Sequence, residues 1–138
     1  MTVKQHSELK THLHNGDGLE AVAFGLCGTL KHSGETYLLL NEVILVPYDK
    51  CKRAKDYVNW KYSDIEHIID DAKNRNLSVI KFHSHPFGNS DFSDLDNDSD
   101  TRFFESVYNI LDNDLIHVSL IMYNDGSLNG RVILSSLD

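Results

Sequence analysis

The 138 residues carry a formal charge of −8, are 41% hydrophobic and include two cysteines, which suits one ordinary globular domain over 1–138 with chain enough for a real core. Apolar runs such as 37–40 and 43–47 are far shorter than the roughly 18 residues of a transmembrane helix, and the start MTVKQHSELK lacks the hydrophobic stretch of a secretory signal. The acidic balance argues against nucleic acid and anionic membrane as partners, and Cys27 and Cys51, in neither a CxxC pair nor a disulfide framework, read as free thiols of a reducing cytoplasm.

Leu9 and Leu13, four apart, predict a short N-terminal helix ending at Asn15-Gly16-Asp17-Gly18. Glu20 then opens the apolar run Ala21, Val22, Ala23, Phe24, Leu26, Cys27, a strand buried on both faces. Ser33-Gly34, within 31–35, marks a hairpin turn into a return strand over 37–46 that Pro47 closes. The stretch 49–61, with five basic residues against two acidic, fits no simple period. Ser63 and Glu66 have the form of a capping box for a helix with Ile65, Ile68, Ile69 and Ala72 on one face, ending at 74–76. A strand over 78–82 runs into His83-Ser84-His85-Pro86, and a polar, acidic loop follows. Phe103, Phe104, Val107, Ile110 and Leu111 predict the next helix, and 116–123 and 128–134 flank the hairpin signal Asn124-Asp125-Gly126-Ser127. The order β-hairpin, helix, strand, helix, β-hairpin predicts an α/β sandwich around a mixed sheet.

The chemistry concentrates in His83-Ser84-His85-Pro86, six residues, then Ser93-Asp94-Leu95-Asp96. Side chains two apart at a strand end leave the same face, so His83 and His85 can reach one metal ion. Asp96 lies far enough along a loop to return as an oxygen ligand. Two His, a carboxylate and a water describe an open catalytic zinc site, which brings the pKa of that water to about 7. Taken alone, HxH is equally a pair of surface or satisfied residues, and Ser93 with Asp96 is a helix N-cap with an acid in the first turn. The combination at this spacing, with Pro86, is far more specific. A calcium reading places Asp94, Asp96, Asp98 and Glu105 at EF-hand positions one, three, five and twelve. Ser99 stands where the loop needs glycine, and Pro86, Gly88 and Asn89 oppose the preceding helix. A solvated helix start accounts for Asp98 and Asp100.

His83-Ser84-His85-Pro86 with Ser93 and Asp96 resembles the signature of the JAMM/MPN (JAB) metalloprotease family. Glu20 opening a hydrophobic strand that ends at Gly28 matches the glutamate which that family places upstream. The resemblance extends from Glu20 to about Arg131. It implies a curved mixed sheet flanked by helices, a cytidine-deaminase-like sandwich, with one zinc ion on His83, His85 and Asp96. Glu20 would be the general base, and Ser93 would donate to the developing oxyanion. Ser84 would face away and serve packing only. His12, His14 and His117 lack ligand-like spacing and read as structural or exposed.

Family members cleave isopeptide or peptide bonds after the C-terminus of ubiquitin or ubiquitin-like proteins. The segment His14-Asn15-Gly16-Asp17-Gly18-Leu19-Glu20 looks most like the bacterial members, which accompany activating and conjugating enzymes, some in antiphage defence. The interval from Glu20 to His83 exceeds that of minimal members, with the excess at 49–61. In deubiquitinating relatives an insertion here touches the ubiquitin-like protein, so Tyr57 and Trp60 would grip an extended tail; a surface loop with one buried aromatic anchor is the plainer reading. Other classes weighed are a catalytically inactive MPN scaffold, which typically lacks part of the ligand set that is complete here, and a RadC-like protein, whose added DNA-binding helical region has no room. A larger HxH barrel is excluded by length.

Overall fold

The apolar run after Glu20 becomes β1 (Val22–His32), which forms a hairpin with β2 (Glu35–Leu45). Only the first part of β1 is buried: from Thr29 to His32 it is an exposed ribbon, longer than the sequence pattern predicts. The turn is confined to Ser33 and Gly34, both at positive φ (52° and 79°), the twist that a two-residue hairpin favours. Gly25 packs tightly: a Cβ there would lie 2.6 Å from Leu40 Cδ1 and 3.1 Å from a Phe82 ring carbon, so Leu40 would have to shift to admit it. The N-terminal helix α1 (Val3–Leu13) carries a Thr2–Gln5 capping box. The computed structural model describes residues 1–135; the predicted domain includes 136–138, which lie outside the described residues.

The stretch 49–61 resolves into a short 3₁₀ turn, Tyr48–Lys50, and a two-stranded ribbon, β3 (Cys51–Arg53) with β4 (Val58–Trp60). Helix α2 (Tyr62–Arg75) follows directly, capped by Lys61 with no side-chain hydrogen bond. The predicted Ser63–Glu66 capping box is therefore corrected: β4 delivers an extended Lys61 to the helix start, which places Ser63 inside the first turn. Strand β5 (Ser78–Ser84), buried throughout, leads to α3 (Asp94–Leu111), β6 (His117–Met122) and β7 (Leu128–Ile133).

The order β2-β1-β5-β6-β7 gives a mixed sheet, parallel only between β5 and β6. A parallel pair needs a crossover, and α3 provides it. Ile65, Ile68, Ile69 and Ala72 of α2 pack with Phe103, Phe104, Val107 and Leu111 of α3 against Val22, Phe24 and Val79 on one sheet face. Leu9 and Leu13 of α1 pack with Ala23, Ile80, Phe82 and Met122 on the other. Each fully buried Leu, Ile or Phe contributes about 1.5–3 kcal/mol relative to exposure. The result is an α/β fold with helices on both faces of its sheet. Among the described residues no helix is long and apolar enough to cross a membrane, and Cys27 and Cys51 are both free.

Candidate metal centre

Antiparallel pairing of β1 with β5 sets Val22 opposite His83. The ladder continues one place: Ser84 N–H donates to the Ala21 carbonyl at 3.2 Å, and Ala21 N–H donates to Ser84 Oγ at 2.9 Å. Ser84, read from sequence as packing only, thus extends the pairing to the residue after Glu20. One further step places Glu20 opposite His85, on the face that carries His83. On the other side β6 sets Ile121 beside His83, and the His85 N–H donates to the Met122 carbonyl at 3.3 Å. His83 is therefore fixed by backbone on two sides and His85 on one.

Asp96 sits in the first turn of α3, as the N-cap reading of Ser93 and Asp96 has it, and not on the loop that the ligand reading supposes. Ser93 Oγ accepts the Asp96 N–H at 3.1 Å, and Asp96 Oδ2 accepts the Ser93 N–H at 2.8 Å. This reciprocal capping box aims the carboxylate back at β5. Its Oδ1 lies 3.1 Å from His83 Nε2 and its Oδ2 3.0 Å from His85 Nε2, while the two Nε2 atoms are 3.2 Å apart. Among the described residues this buried trio is the group of His, Cys, Asp and Glu side chains close enough to share a metal ion. The EF-hand alternative fails, since Asp94, Asp96, Asp98 and Glu105 all lie on one continuous helix.

The donor set fits a metal. His85 Nδ1 lies 3.0 Å from the Ser90 carbonyl, which can only accept, so the proton sits on Nδ1 and Nε2 keeps its lone pair in the neutral ring. Tyr123 Oη donates to the same carbonyl at 2.9 Å. With both rings neutral and their protons on Nδ1, lone pairs on two nitrogens and a carboxylate converge on one point, an arrangement that a shared cation satisfies; without a cation, the same Nε2 atoms hydrogen-bond Asp96 only when they carry a proton. Ligands about 2.0–2.1 Å from a tetrahedral ion stand roughly 3.3 Å apart, close to the separations here. Burial is the largest influence on all three groups. It depresses His83, with a smaller opposing effect from Asp96. It also pulls His85 down, but the Asp96 hydrogen bond and charge reverse the net direction to upward. Burial would raise Asp96, yet hydrogen bonds from both histidines bring its carboxyl well below the usual range.

Glu20 is 3% exposed. Its N–H donates to the Ala54 carbonyl at 2.8 Å, and its own carbonyl accepts Arg53 Nε at 2.7 Å, so the β3–β4 ribbon holds its backbone. Desolvation, then the Asp96 charge, push its carboxyl up to about 8. An open groove of about 460 Å³ has Glu20, His83 and Asp96 in its lining, with Tyr57 and Trp60 on its wall. A cleft of about 370 Å³ brings Glu20 together with His85 and Ser93. All five predicted site residues therefore border one centre. Trp60 also packs edge-on against Phe24 and Phe103, so it is an anchor as well as groove wall.

The remaining histidines stand apart. His12 Nε2 meets the Val22 carbonyl at 3.1 Å, His14 Nε2 meets the Met122 carbonyl at 2.8 Å, and His117 Nδ1 accepts the Val79 N–H at 2.9 Å. Asp100 is a correction: it is 2% exposed, not solvated, and pairs with Lys81 and Arg131. Lys81 stands two before His83, and Asp100 stands four after Asp96; those spacings were the available signal. Nothing in the pattern of 51–60 marked Arg53. No protein-family model and no curated protein matches this chain.

Proposed function

We propose that the chain is a zinc-dependent isopeptidase or peptidase of the JAMM/MPN type, built on that family's curved sheet. It would act in the cytoplasm and cleave after the C-terminus of a ubiquitin-like protein, alongside activating and conjugating enzymes of the same system. The observation that carries this reading is the convergence of His83 Nε2, His85 Nε2 and the Asp96 carboxylate within 3.2 Å of one another, with Glu20 buried beside them.

His83, His85 and Asp96 would hold the zinc. Zinc, when bound, acidifies a coordinated water to a pKa of about 7 and polarises a carbonyl oxygen. Glu20 receives the proton of the attacking water and returns it to the leaving nitrogen as the C–N bond breaks. Ser93 Oγ already accepts the Asp96 N–H, which leaves its own hydrogen to donate to the carbonyl oxygen as negative charge develops there. The groove along Tyr57 and Trp60 admits an extended chain to the centre.

The test is metal content by mass spectrometry on chelator-free protein, followed by hydrolysis of ubiquitin-like proteins carrying a C-terminal fluorogenic amide. About one zinc per chain and turnover are expected. Glu20→Ala should keep zinc and lose hydrolysis by roughly 10²–10⁴-fold, whereas Asp96→Ala should lose zinc itself. No zinc after reconstitution would reject the enzyme reading in favour of an inactive scaffold.

A further inference from the structure

Lys81 lies in the middle of β5 with its side chain 2% exposed. Its Nζ is 2.8 Å from Asp100 Oδ1 and 3.0 Å from Ser99 Oγ, and it stands 5.2 Å from the centre of the Trp60 ring. Two of its three hydrogens bond Asp100 and Ser99, and the ammonium lies against the Trp60 ring at the border of the groove. The other Asp100 oxygen accepts Arg131 Nη2 at 2.7 Å. Apolar side chains of similar volume generally serve folding as well as a buried ion pair. The value of this pair lies in its geometry.

Residues two apart on a strand and four apart on a helix both repeat every 6–7 Å or so. Lys81 and His83 on β5 therefore face Asp100 and Asp96 on α3 as two matched rungs. Sliding the helix by one residue would break both. We propose that Lys81 is a positioning residue: by holding Asp100 it fixes the register of α3 on β5, and so keeps Asp96 over the His83–His85 pair. The same ammonium draws Trp60 of β4 into this junction. Arg131 of β7 steadies Asp100 from the far side. This inference rests on the reading of His83, His85 and Asp96 as metal ligands.

The experiment compares the wild-type chain with the double variant Lys81→Met/Asp100→Leu, which replaces the pair by apolar bulk. Near-ultraviolet circular dichroism verifies folding, zinc affinity is measured by competition with a chromophoric chelator, and the visible spectrum of the cobalt(II)-loaded chain reports the ligand geometry. Zinc binding weaker by roughly 10–100-fold and an altered cobalt spectrum, in a folded chain, are expected. An unchanged affinity or an unchanged spectrum overturns the positioning role while leaving the ligand assignment intact. Failure of the wild-type chain to bind zinc or cobalt overturns both. Should the double variant not fold, Asp100→Asn, which keeps the bulk and removes the charge that Lys81 holds, is read in its place: weaker zinc binding supports the proposal and unchanged affinity rejects it.

Discussion

Val79 donates its backbone N–H to Nδ1 of His117, a ring with no exposed surface, so the lone pair there must stay free of a proton. Desolvation pushes the His117 pKa down to about 4 from 6.5. A depressed pKa contributes stability that is fully present above the unfolded value and is lost as pH falls through the folded one. Between pH 6.5 and about 4 the chain is expected to lose up to about 3 kcal/mol from this residue alone. Urea unfolding at pH 7 and pH 5 checks it: His117→Asn should flatten the difference, and equal acid losses in both chains would exclude His117 as the cause. A second expectation concerns Arg53, whose guanidinium bonds the Leu19 and Glu20 carbonyls and Asp17 while lying 4.2 Å over Tyr48. Arg53→Met should keep its metal yet lose hydrolysis roughly 100-fold, since small misplacements of a catalytic group are costly. Metal content and turnover measured on one sample decide this. The His83, His85 and Asp96 cluster was legible because two histidines and an acid are unusual at that spacing, whereas Glu20 and Ser93 stood out only through the family resemblance. Lys81 and Asp100 were not recognised as a pair, because an acid on a helix looks alike in sequence whether it faces solvent or a buried cation. Arg53 was invisible for a related reason: its partners lie far back along the chain, at 17–20.

Ser63–Glu66 and Ser93–Asp96 share the pattern serine, two residues, acid, and of these two only the second caps a helix. Ser93 and Asp96 close a reciprocal box, whereas Ser63 and Glu66 do not, because β4 runs straight into α2 and leaves Lys61 as an uncapped N-cap. Local pattern cannot separate the two cases when the preceding element is a three-residue strand whose partner is equally short. The ribbon of β3 and β4 has too few residues for alternation to register, and that is why 49–61 resisted classification. The long helices, by contrast, announce themselves through four buried apolar positions each, and the central strand through an unbroken buried run. Lys61→Ser should supply the missing side-chain acceptor and stabilise α2 by about 0.5–2 kcal/mol. A thermal melt that does not rise in this variant would mean that the Lys61 backbone cannot present a serine oxygen to the first turn.

Across the whole molecule, a cation bound only by the native chain shifts the unfolding equilibrium by mass action. At a free zinc concentration about 100-fold above the dissociation constant the gain is about 2.7 kcal/mol, or roughly 10 °C in a chain of this size. Chelation should reverse it, and a melting temperature indifferent to both additions would argue against a native metal centre. The sheet order has one further consequence, in time instead of space. His83, His85 and Asp96 lie close together in the chain, at the end of one strand and the start of the next helix, so the loop to be closed between them is short. Glu20 reaches the same centre only when β1 has docked along β5, across the 63 positions of chain that hold β2, the ribbon and α2. Closing that longer loop costs more entropy. A chain refolding in the presence of zinc is therefore expected to capture the ion before it can turn over substrate, so that metal uptake and the recovery of hydrolysis separate into an earlier and a later event.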